Sequence, residues 1–162
     1  MGAKELSERN PCWVAQAALT GSLGEASLDD VLQNGLSQDY TVEHLPSKLS
    51  IYPSGRGICP AFKITHRKSG KSIFVEHKAG NNGGNAHERV YKYCLPAIQE
   101  TVQQRYNTPN KPFVFVFSGS TFQQERYREE LATALRDERY IILDPGNTNA
   151  REVINVVEGK LS

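Results

Sequence analysis

The apolar run Ser72-Ile73-Phe74-Val75 enters Glu76-His77-Lys78 without a break, and this junction constrains the fold more than any other stretch. A run this apolar, ending in charge, reads as a buried strand whose end opens onto something polar. Residues i and i+2 of a strand share a face, so Glu76 and Lys78 stand side by side. A carboxylate can ligate a hard cation, and a lysine can neutralise a phosphate oxygen or orient a water. His77 points the other way and reads as a core-side histidine rather than a ligand. Alone, Glu-x-Lys is a weak signal, common on exposed strand edges.

The flanking pattern supplies the rest of the fold. Ile58 to His66 and Ser72 to Lys78 read as two strands, joined as a hairpin by Arg67-Lys68-Ser69-Gly70-Lys71. The tetrapeptide Ser69-Gly70-Lys71-Ser72 is not a P-loop, because position 65 is threonine and the stretch lies between strands rather than before a helix. Pro112 to Phe117 and Arg139 to Leu143 read as further strands. Helices are predicted around residues 13–19, from Ser27 through Leu32, from Asn85 to Tyr106 with a kink at Pro96, from Phe122 to Arg136 and from Asn149 to Val157. Residues 38–56 read as loop, and Ala79 to Gly84 as a flexible loop. This order predicts an α/β fold with a central mixed β-sheet flanked by helices, in a single domain spanning residues 1–162.

Composition excludes several classes. No run of eighteen apolar residues exists, and the N-terminus lacks the apolar core of a signal peptide. Cys12, Cys59 and Cys94 are scattered and odd in number, with no metal-binding spacing. A reduced, cytoplasmic protein with no membrane contact is expected. Net charge is +1, but unevenly distributed. Residues 51–95 carry Arg56, Lys63, Arg67, Lys68, Lys71, Lys78, Arg89 and Lys92 against Glu76 and Glu88 alone. A positive segment around a carboxylate suits a phosphodiester substrate; a solvated charged hairpin explains it equally well.

Gly83-Gly84-Asn85-Ala86-His87-Glu88-Arg89 follows at the start of a predicted helix. Glycines allow close backbone approach, and a helix start offers free N–H groups. Asn can read adenine bidentately, Glu can accept from exocyclic amines, and Arg can donate to purine N7. By itself the segment reads more simply as an Asn85 N-cap beside an ordinary charged surface.

Together, Glu76-x-Lys78 and Gly-Asn-Ala-His-Glu-Arg resemble the EcoRI-like type II restriction endonucleases of the PD-(D/E)xK superfamily. The resemblance covers the central third of the chain well and the C-terminal half by element order. It implies a prokaryotic, cytoplasmic, homodimeric enzyme of a restriction-modification pair. Its activity would be Mg2+-dependent hydrolysis of double-stranded DNA, with a companion methyltransferase acting on the same site. Glu76 and Lys78 fall on the family's second catalytic carboxylate and catalytic lysine. Gly84, Asn85, Ala86, His87, Glu88 and Arg89 fall on the segment that reads an AATT core, and Glu88 and Arg89 also hold the two recognition helices in register.

The departure is Ala61. Fifteen positions before Glu76 and directly after Pro60, the family has the aspartate that completes the catalytic and metal-binding pair with the Glu76 position. Alanine ligates nothing. Asp29, Asp30 or Glu5 could replace it chemically, but nothing in the sequence brings them there. The intact surroundings favour an engineered inactivation over a natural degenerate member, and the chain as it stands is expected to bind DNA and to cleave it poorly or not at all. The loop from Ala79 to Gly83 holds no Arg or Lys, so a four-base AATT site with 5′ overhangs is expected. The alternatives are a non-cleaving sequence-specific DNA-binding protein and a structure-specific repair nuclease of the same fold.

Overall fold

A computed structural model describes residues 27–45 and 49–162. The helix expected at 13–19 lies outside these residues. Among the described residues, seven strands form two sheets: β1 (Tyr40–His44), β2 (Leu49–Ser50), β3 (Gly57–Ile58), β4 (Phe62–His66), β5 (Ser72–Ala79), β6 (Phe113–Ser118) and β7 (Arg139–Ile142). β2 and β3 pair as a minimal ribbon, and the others form one sheet in the order β1-β4-β5-β6-β7. β4 pairs antiparallel with both β1 and β5, whereas β5, β6 and β7 are parallel. The expected mixed α/β architecture is what the chain adopts.

Strand alternation sorts the core into two layers. Phe62, Ile64, Ile73, Val75, Val114 and Val116 pack under α1 (residues 27–35) and α4 (Arg151–Leu161). The helical stripe that meets them is Val153, Ile154, Val157 and Leu161, close to the period of a helix. On the other face, Phe74, Phe113, Phe115 and Phe117 pack under α2 (Pro96–Arg105), α3 (Glu125–Ala134) and a 3-10 segment, Ala86–Cys94. All six phenylalanines are at most 1% exposed. Each such burial contributes about 1.5–3 kcal/mol against an exposed ring.

Four expectations are corrected. Residues 38–56 are not all loop: β1 pairs with β4 in the register Tyr40↔His66 to His44↔Phe62. The run from Ile58 to His66 is two strands, because Pro60 lacks the N–H a ladder requires. The helix expected from Asn85 to Tyr106 is a 3-10 segment followed by a separate α-helix. Pro96 takes the first position of that α-helix, where its missing N–H costs nothing.

The glycine-rich loop is also tied down rather than loose. Thr121 Oγ1 accepts the Gly83 N–H at 2.8 Å, the Thr121 N–H reaches Gly80 O, and Ser120 bonds Asn81 twice. Gly119 makes this closure possible. Its φ is +99°, and a Cβ there would lie 2.2 Å from Gly80 O.

Candidate functional site

The C-terminal ends of parallel strands are where open α/β sheets place ligands, and both sequence motifs gather at that end of β5. Glu76, His77 and Lys78 are residues five to seven of β5, opposite Phe115, Val116 and Phe117 of β6. Glu76 shares the Phe74 face. It is 4% exposed, and both its oxygens accept: Oε1 from the His77 N–H at 2.9 Å, Oε2 from the Tyr93 hydroxyl at 2.9 Å. Lys78 is half-buried at the strand's end. His77 is buried on the opposite face and shares a 2.7 Å hydrogen bond with Ser118 Oγ, as expected of a structural histidine.

Ala61 lies just before β4, beyond the last ladder pair Phe62↔Val75. It is 5% exposed, its carbonyl accepts from the Leu45 N–H, and its methyl joins the α1/α4 core layer. Among the described residues no three His, Cys, Asp or Glu side chains cluster as a metal site. Glu76 alone, with each oxygen already hydrogen-bonded, does not make a Mg2+ site. The donor set fits the metal poorly while alanine stands at position 61.

The segment Gly84 to Arg89 leaves β5 and enters the 3-10 segment. Asn85, Glu88 and Arg89 are exposed. Asn85 takes the N-cap position of the 3-10 segment, but its side chain makes no capping hydrogen bond. Ala86 is half-buried. His87 is different: it is 1% exposed, and its Nε2–H donates to Glu130 Oε2 on α3 at 2.8 Å. Sequence-adjacent residues in this segment thus face opposite ways.

The inward stripe of the 3-10 segment is His87, Val90 and Tyr93. Spacing of three is the signature of a 3-10 helix, whose side chains eclipse every third residue. Tyr93 lies at the far end of this stripe and was not foreseen from the sequence, although its spacing from His87 and Val90 carried the signal. Its ring stacks on Phe113 and Phe115 at centroid distances of 5.2 and 6.2 Å. Burial raises its phenol pKa well above the ordinary value of 10, and the Glu76 charge and hydrogen bond raise it further.

The positive segment is only partly local. Arg67, Lys68 and Lys71 occupy the β4–β5 turn at the opposite end of β5. Ser72 and Glu76 are four residues apart, about 13 Å along an extended strand. Arg56, Lys78, Arg89 and Lys92 remain candidates for the site's field; Lys63 lies over the Tyr106 ring.

The solved structure of MunI restriction endonuclease in complex with cognate DNA superimposes on this fold. The TM-score is 0.60 at 20% identity, over 87% of this chain and 95% of that one. The fold is restriction-endonuclease-like. No family model matches the sequence, and no curated protein does. The likeness to MunI therefore rests on architecture. No helix among the described residues is long and apolar enough to cross a membrane.

Proposed function

We propose that this chain is a sequence-specific binder of double-stranded DNA built on a type II restriction endonuclease, with the cutting step disabled at position 61. The carrying observation is the meeting, at one end of β5, of the buried Glu76, the adjacent Lys78 and the exposed Asn85, Glu88 and Arg89. On a MunI-like fold that combination supports readout of a palindrome with an AATT core by the exposed residues. Glu76 and Lys78 would serve phosphodiester hydrolysis in the intact enzyme. A palindromic target implies a two-fold symmetric homodimer. A restriction-modification context implies a methyltransferase that protects the same sequence without touching this protein.

Among the described residues no second carboxylate joins Glu76 as a metal site, so the expected behaviour is binding with little or no cleavage. Substituting Ala61→Asp should restore Mg2+-dependent cutting. The test is digestion of an AATT-rich plasmid by the variant beside the parent chain. Fragments ending at AATT only in the variant lane support the reading. Random flanking sequence should not matter if the site is four bases; cutting confined to one flanking pair would refute the four-base site. Tight AATT binding with no cleavage in either lane would leave a DNA-binding module in which Glu76 and Lys78 are a relic. Cleavage governed by branch or end structure would favour the repair nuclease.

A further inference from the structure

We propose that His87 and Glu130 form a positioning pair that fixes the base-reading edge of the segment Gly84 to Arg89, and that His87 itself does not touch DNA. This deepens the proposed function and rests on it. The His87 ring is enclosed edge-on by Tyr91, Phe122 and Tyr127, at centroid distances of 6.1, 6.1 and 5.3 Å. No base can reach that ring while the segment stays docked. Its polar contact with α3 is the 2.8 Å bond to Glu130 Oε2. The other oxygen of Glu130 accepts from Arg126 Nε at 3.2 Å, and the Arg126 guanidinium lies over the Tyr127 ring at 4.8 Å. Glu130 is thus held from its own helix before it grips His87.

The geometry explains why a segment of this kind needs an anchor. A 3-10 helix bonds less well than an α-helix and rarely persists beyond a few residues, yet this one spans nine, Ala86–Cys94. Glu88 and Arg89 directly follow His87 on the outer face. Their direction is therefore set by how firmly His87 is seated. A second tie, Gly83 N–H to Thr121 Oγ1, fixes the entry to the segment from the same stretch of chain. Base readout demands placement within a fraction of an ångström, and these two ties supply it from the stretch that follows β6.

The test uses the parent chain, since binding requires no cleavage. The variants are Glu130→Ala, Glu130→Gln, His87→Phe and the double variant Glu130→Ala/His87→Phe. In DNA-free protein, hydrogen exchange of residues 84–91 should rise about tenfold in Glu130→Ala, with β7 unchanged as the internal control. Affinity for an AATT duplex should fall about tenfold, while affinity for a duplex with one base pair changed stays level. Glu130→Gln keeps an acceptor and should retain most of the discrimination. The double variant should be no worse than Glu130→Ala. Should His87→Phe unfold, Glu130→Ala at the partly exposed partner still decides. Unchanged exchange and discrimination in Glu130→Ala would overturn the proposal, as would an equal loss of affinity for both duplexes. If the parent shows no preference for AATT, the proposed function fails, while the exchange comparison still decides whether the pair anchors the segment.

Discussion

Tyr93→Phe isolates the contact that joins the 3-10 segment to β5. The substitution removes one oxygen and leaves the ring stacked on Phe113 and Phe115. The Tyr93 backbone carbonyl also keeps its bond from Gln99 Nε2 at 3.0 Å. What is lost is the hydroxyl that donates to the buried Glu76 carboxylate at 2.9 Å. A hydrogen bond to a charged group contributes about 1.5–3 kcal/mol, and removing a buried donor leaves the carboxylate undersolvated. The His77 N–H still serves Oε1, so we take about 2 kcal/mol. For a chain of this length that lowers Tm by roughly 4–8 °C. Circular dichroism melts at pH 7.5 measure it.

The cost should depend on the Glu76 charge: in a Glu76→Gln background, the same substitution should cost about 1 kcal/mol less. The pH dependence has a definite sign. The Tyr93 pKa is raised in the folded state, so its contribution is complete below the ordinary value near 10 and fades as pH rises through the folded value. Parent and variant should therefore differ constantly from pH 7 to 9 and converge at higher alkalinity. A cost below about 0.5 kcal/mol, or one identical in the Glu76→Gln background, would refute the coupling.

Two further outcomes test the electrostatic map. In a Cys12→Ser background, Cys59 is exposed and should react readily with a thiol reagent at pH 8. Cys94 should not: burial, followed by the Glu138 charge, pushes its thiol up to about 12, leaving roughly one thiolate in ten thousand. Comparable labelling of both native thiols would contradict that environment. Replacing Arg67, Lys68 and Lys71 together by Gln should change AATT affinity at 0.1 M salt by no more than about twofold, because the turn lies beyond a Debye length from Glu76. A loss above tenfold in an anisotropy titration would relocate the DNA path to that end of the sheet.

The sequence revealed β5 and β6 clearly because both are apolar on two faces, and alternation then fixes which residues share a layer. It concealed β1 for the opposite reason. Tyr40-Thr41-Val42-Glu43-His44 is an edge strand, half-buried or exposed throughout, and its pattern is too mixed to separate from loop. Glu76 and Lys78 were placed correctly relative to each other by the two-residue repeat alone. The partners of Glu76 and His87 were not legible. Tyr93 lies 17 residues from Glu76, and Glu130 lies 43 residues from His87. A local pattern carries no information about which distant side chain closes a hydrogen bond. Nor could local charge show that the Arg67–Lys71 turn projects from the wrong end of the sheet.

On the proposed reading, position 61 is where a fold would outlast its chemistry. A metal shared by Glu76 and a carboxylate at position 61 would hold the two groups within about 5 Å of each other. Two ionised carboxylates at that separation repel by roughly 3 kcal/mol at an effective dielectric constant of 20, and a divalent cation or a proton must relieve the repulsion. Alanine removes it, and its methyl joins an existing apolar layer. On the proposed reading, alanine in place of that aspartate would therefore relax the metal-free fold while leaving the exposed Asn85, Glu88 and Arg89 untouched. The Ala61→Asp variant should consequently melt below the parent in EDTA and gain more than the parent from added Mg2+. Equal melting temperatures under both conditions would mean that residue 61 does not share a site with Glu76.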